Sequence, residues 1–245
     1  MRWAKETSTT IQSKLNDETI VLLPIGAVEA HGSHLPLDTD NVLAERLSHK
    51  LANRLSNTYV LPTLPFGQVW SLQDFPGSLS ISNDVLIPFI VELGESLYAK
   101  GIRILGIVNA HLGNAVAIKE AARTLVSRHP DLVTYTFFYP GLRETSAQVR
   151  ESDPVHASYV HACEIETSIM LYLAEEEVDM SLAIDDYPVI PEEADYTPTP
   201  WSTFTETAVL GEATKATREK GEIIVEEAVK RMVRMLQKAR AERSR

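Results

Sequence analysis

Four short apolar runs, each leading through turn residues into a segment of helical period, organise this sequence: Thr19 to Pro24, Tyr59 to Leu64, Ile102 to Val108 and Val133 to Tyr139. A strand covered on both faces reads as a nearly continuous apolar run, and strands of that kind alternating with helices define an α/β fold. The expected architecture is a mainly parallel sheet with crossover helices on both faces. Val42, Leu43, Leu47, Leu51 and Leu55 recur on one face after the first strand, and Thr39 or Asp40 is placed to cap that helix. Further helices are expected from about Ser82 to Gly101, Asn114 to Arg128, His161 or Ala162 onward, and Lys215 to Arg240. Between the last two, Asp185 to Glu206 is rich in proline and acid and reads as an irregular surface excursion. At 245 residues, 44% of them apolar, the chain suits one domain with one substantial core.

The net charge of −11 disfavours a polyanion partner, since no basic stripe opposes the overall field; nucleic acid is therefore not expected. No run approaches the ~18 apolar residues of a membrane span, and the N-terminus lacks an apolar signal core. The single cysteine, Cys163, has no intrachain partner. Cytoplasmic residence without membrane attachment is the resulting expectation.

The turn after the first strand carries Glu29, His31, His34, Asp38 and Asp40, with no lysine or arginine to neutralise its carboxylates. It is either a solvated loop or the start of a cation site. Imidazole mixed with carboxylate suits zinc, manganese or ferrous iron better than calcium or magnesium. A second piece, Asn109-Ala110-His111-Leu112-Gly113-Asn114, puts a histidine at the end of another buried strand. Carboxyl ends of parallel strands are where α/β sheets bind ligands, so His111 joins the first loop. The third piece runs from His161 to Ser168. If it opens a helix, His161 and Glu164 lie three apart on one face and Glu166 points away, which selects Glu164 as the carboxylate that goes with the histidine.

These residues resemble the creatininase, or creatinine amidohydrolase, family. Pro24 to Asp40, PIGAVEAHGSHLPLDTD, is similar to its first signature; Asn109 to Asn114 and His161 to Ser168 resemble the second and third, with Cys163 in a glycine position, and Phe75 to Ser78 a weaker Phe-Pro-Gly signature. The resemblance implies a three-layer α/β fold, a site for two divalent ions (zinc first, manganese or iron otherwise) and a homo-oligomer, commonly a hexamer. Carried over, Glu29 and His111 hold one ion, His31 and Glu164 the other, and Asp40 bridges them. Gly113, where creatininase proper has a carboxylate ligand, offers none. His161 is the candidate catalytic proton shuttle, because imidazole titrates near neutrality, with His34 in reserve. Trp70 is the candidate substrate-binding residue. Val160 before His161 departs from creatininase proper, and Ser71-Leu72 ahead of Phe-Pro-Gly departs from the Glu-His of many members. The implied reaction is hydrolysis of a cyclic amide or formamide of a small molecule by a metal-bridged water. A peptidase acting on a cofactor-precursor peptide and an inactive metal-stabilised scaffold are the alternatives.

Overall fold

The computed structural model describes residues 1–243. Its centre is a four-stranded parallel sheet of β1 (Ile20–Ile25), β2 (Thr58–Val60), β3 (Ile104–Asn109) and β4 (Val133–Phe137), in the order β2-β1-β3-β4. The central strands β1 and β3 are buried at every position, as their unbroken apolar runs require. Alternate side chains serve the two faces. Ile20, Leu22, Ile104 and Val108 enter one core, and Val21, Leu23, Leu105 and Ile107 the other.

Seven helices surround the sheet: α1 (Ser8–Lys14), α2 (Thr39–Ala52), α3 (Asn83–Ala99), α4 (Ala115–Arg128), α5 (Leu142–Val149), α6 (Glu164–Ala174) and α7 (Arg218–Arg243). Leu43, Leu47 and Leu51 of α2, Ile165 and Ile169 of α6, and Val225, Val229 and Met232 of α7 build the first core. Leu86 and Ile90 of α3 with Ile118 and Leu125 of α4 build the second. Helices α6 and α7 approach so closely at Gly221 that a Cβ there would lie 1.8 Å from the carbonyl oxygen of Ser168. Only glycine permits that spacing. No helix among the described residues is long and apolar enough to cross a membrane.

Several boundaries differ from the sequence reading. The second strand stops at Val60, short of Pro62, although Leu64 still exchanges backbone hydrogen bonds with Pro24 and Gly26. Asp38, not Thr39 or Asp40, occupies the N-cap position of α2 and makes no capping bond, its carboxylate accepting instead from the Asn41 side chain at 2.8 Å, while Asp40 is turned into a buried polar cluster. The short helices α1 and α5 are additional. The third-signature helix starts at Glu164 with Cys163 as N-cap, and Ala162 before it has φ of +47°. His161 thus lies outside the helix. Within the excursion after α6, β5 (Asp185–Asp186) pairs antiparallel with β6 (Gly211–Glu212).

Strand order places the site. From β1 the chain goes to β2 on one side and then returns to β3 on the other, so the loops leaving β1 and β3 diverge. Ile25 and Asn109 are register partners, and both loops start side by side at this switch point.

Candidate metal centre

Six ionisable side chains converge where those loops part. Glu29, His31 and Asp40 come from the loop after β1 and the first turn of α2, His111 from the end of β3, and His161 and Glu166 from the entry to α6; all six are buried. Each imidazole is tied by one nitrogen to a backbone carbonyl: His31 Nδ1 to Glu29 at 3.1 Å, His111 Nε2 to Gln68 at 2.7 Å, and His161 Nε2 to Ala30 at 2.8 Å. A carbonyl only accepts, so in each ring that nitrogen donates its hydrogen and the other nitrogen is aimed into the cluster. Such outer bonds fix the tautomer of metal-ligating histidines.

The inward atoms face carboxylates. His111 Nδ1 is 3.1 Å from both Glu29 Oε2 and Asp40 Oδ2. His31 Nε2 is 3.5 Å from Asp40 Oδ1 and 3.6 Å from Glu166 Oε2, and His161 Nδ1 is 3.9 Å from Glu29 Oε2. His31 Nε2 and Asp40 Oδ2 are buried with no hydrogen-bond partner at all. The donors fall into three groups able to hold an ion: Glu29-Asp40-His111, His31-Asp40-Glu166 and Glu29-His31-His161. Asp40 turns one oxygen to each of the first two, the arrangement a bridging carboxylate needs.

Electrostatics point the same way. Burial alone would lower the His31 pKa, but Asp40 and Glu166 raise it to about 10, and Glu29 with Asp40 raises His111 well above the ordinary imidazole range. Against the opposing effect of burial, His31 lowers Asp40 and His111 lowers Glu29. Burial dominates at Glu166 and lifts it to about 7. Burial and the neighbouring His31 lower His161 to about 4. Among the described residues no lysine or arginine forms an ion pair with any of the six. A cluster of this kind demands positive charge, as protons or as metal ions, and its mixed nitrogen and oxygen donors suit zinc, manganese or iron.

Glu164, the expected fifth ligand, lies elsewhere. It belongs to none of the three groups and instead accepts from Lys220 Nζ at 2.6 Å, Ser152 Oγ at 2.6 Å, the Ser152 amide at 2.8 Å and the Glu151 amide at 2.9 Å. The face-sharing rule assumed that His161 was already helical. Because the helix begins only at Glu164, Glu166 in its first turn reaches back, accepts the Ala162 amide at 2.5 Å and faces His31. That placement is legible in retrospect from a carboxylate three residues after an N-cap.

All of the cluster except His31 lines the floor of a cavity of about 210 Å³, whose walls include Ser71, Leu72, Phe138, Tyr159 and Trp201. Trp70 is not part of the wall; its two successors are, and the tryptophan at the site is Trp201. Trp201 meets His161 edge-on, with ring centroids 5.1 Å apart. It comes from the proline-rich excursion, so that segment covers the site. A tryptophan amid such polar sequence is the signal that marks it. His34 braces α6 through Thr167 Oγ1 at 2.9 Å and does not line the cavity. Buried Cys163 packs in the core, its thiol pKa raised by burial.

The creatininase family, described as creatinine amidohydrolase, matches residues 4–236. The chain belongs to this family. It is 27% identical to the creatinine amidohydrolase of Pseudomonas putida, over 86% of each chain. It is 29% identical to the mycofactocin precursor peptide peptidase of Mycobacterium tuberculosis, over 88% of this chain and 85% of that one. Its fold superposes on a tryptophan-to-phenylalanine mutant creatininase with a TM-score of 0.86 at 24% identity, covering 97% of this chain and 98% of the other. A creatininase described with manganese aligns at TM-score 0.83 and 22% identity, with 97% of both chains covered. The three-layer creatininase fold is therefore present, and this creatininase-family amidohydrolase holds buried groups with the donor chemistry of a metal centre.

Proposed function

We propose that the chain is a metal-dependent amidohydrolase cleaving a carbon-nitrogen bond, other than a peptide bond, in a small molecule. One observation carries this reading: three imidazoles, each oriented by a carbonyl, converge on three buried carboxylates at the floor of a cavity. Glu29, Asp40 and His111 would hold one ion and His31, Asp40 and Glu166 a second. When bound, divalent ions polarise a carbonyl and bring the pKa of a shared water towards neutrality.

The remaining chemistry falls to the chain. His161 presents Nδ1 to the cavity while its Nε2 hydrogen stays on Ala30, so it accepts a proton at Nδ1 and returns it to the departing nitrogen. Lowered to about 4, the ring is neutral at pH 7 with Nδ1 bare, and it is a weaker base than the near-neutral imidazole expected from the sequence. Trp201, Phe138 and Leu72 exclude water from the floor, and a space of about 210 Å³ suits a cyclic amide or a formamide better than a folded peptide. The peptidase relative supports a second reading, in which the end of a short peptide enters the same cavity.

Elemental analysis of purified protein tests the metal assignment. Zinc, manganese or iron should exceed one ion per chain, and Asp40→Ala and Glu166→Ala should each lower that content. Full occupancy in both variants would overturn it. A panel of lactams, cyclic ureas, hydantoins, N-formyl amines and short peptides, offered to the metal-loaded protein, tests the reaction. Turnover confined to peptides would replace the first reading by the second.

A further inference from the structure

Beside the catalytic cavity lies a second one of about 510 Å³, formed by α5 and the segment from Arg150 to Val160. Phe138 and Val160 line both, so the two adjoin across these side chains. Their charge differs in sign. Glu29, Asp40 and Glu166 line the first, whereas the second has no carboxylate in its wall and carries Arg143, Arg150 and His156. His156 is engaged with Asp195 at 3.0 Å. The guanidinium groups of Arg143 and Arg150 have no ion pair or hydrogen bond among the described residues, and Arg150 Nε is buried without a partner. Apart from Arg234 on α7, every other described arginine has an acidic or backbone partner. In a chain with 34 acidic and 23 basic residues, two unanswered guanidinium groups in one cavity form an exception.

We infer that this second cavity receives an oxyanion at the far end of the substrate whose amide sits over the metal centre. The substrate class is then an amide bearing a carboxylate or a phosphate monoester. Guanidinium matches both groups with paired, parallel N–H donors, here from the half-buried Arg150 and the exposed Arg143. Ser158 offers a further hydroxyl donor, those of Ser146 and Ser152 being committed to the Leu142 carbonyl and to Glu164, and Leu142 and Pro154 offer apolar surface for a carbon stem. The inference rests on the amidohydrolase reading of the neighbouring site.

The test uses metal-loaded full-length protein and a matched set of amides whose far end is a carboxylate, a phosphate monoester or a neutral methyl ester. Wild type should favour one anionic member over the ester by about tenfold or more in kcat/KM, and which anion wins identifies the group. In Arg143→Gln/Arg150→Gln that ratio should collapse towards one, chiefly through KM, while Arg234→Gln should keep it. A wild type indifferent to charge, or a double variant that keeps the preference, overturns the inference. If no amide is turned over, the amidohydrolase reading fails, and calorimetric titration with glutarate and with inorganic phosphate still decides the cavity. Binding weakened about tenfold in the double variant but not in Arg234→Gln supports it; equal binding in all three proteins overturns it.

Discussion

Replacing Lys220 by methionine isolates the role of Glu164. The Lys220 ammonium lies 2.6 Å from Glu164 Oε1 and 2.8 Å from Glu151 Oε1, and also donates to the Lys215 carbonyl at 2.8 Å. The side chains of Lys220 and Glu164 are 10% and 0% exposed. Removing one partner of a buried pair costs ~3–5 kcal/mol, because the other charge is left desolvated. Here the Ser152 hydroxyl and two backbone amides remain on Glu164, which argues for the lower end, about 3 kcal/mol. For a chain of this size that is a fall of ~6–12 °C in Tm. Acidity supplies an internal check. Burial would raise the Glu164 pKa, but Lys220, Ser152 and the amides lower it to about 2 from 4.5. A depressed carboxyl contributes stability that is complete above 4.5 and fades as pH falls towards 2. Urea unfolding of wild type and Lys220→Met at pH 7 and pH 3 measures both effects. The variant should be weaker at pH 7, and the gap should narrow at pH 3. A loss under about 1 kcal/mol at pH 7 would refute the anchoring role, since that is the range of exposed pairs. Loss of metal without loss of stability would return Glu164 to the centre.

Three further outcomes follow from the geometry. His161→Ala should retain its metal, measured by elemental analysis, yet lose at least about 100-fold in kcat, the scale of general acid-base catalysis; unchanged turnover would move the proton-transfer role to another group. In Gly113→Ala the new Cβ would lie 2.3 Å from both Gln68 O and His111 Nε2 and break their hydrogen bond. Metal affinity, read by competition with a chelator, should fall about tenfold or more, as for other lost outer partners of ligating histidines. Gly221→Ala sets a Cβ against the Ser168 carbonyl and should cost about 3 kcal/mol by urea unfolding, with activity per folded molecule preserved.

The sequence by itself determined the layers and most members of the buried cluster. Runs such as Ile20–Ile25 and Ile104–Asn109 are apolar because both faces of each strand are covered, and that periodicity survives without coordinates. Glu29, His31 and Asp40 were legible as unneutralised charge after a strand, and His111 as a histidine at a second strand end; these readings need only local order and the habit of parallel sheets. Tertiary structure decided what local order leaves open. Glu166 rather than Glu164 faces the buried cluster because a residue at positive φ, Ala162, delays the helix and redirects both side chains, while the donors that claim Glu164 come from Ser152 and Lys220, distant in sequence. Trp201, and not Trp70, lines the cavity for a similar reason. Which aromatic closes a cavity depends on where a long loop lands, and that is set by packing between segments 40 residues and more apart: Trp201 settles on His161, and the arginines of α5 and its exit gather beside them.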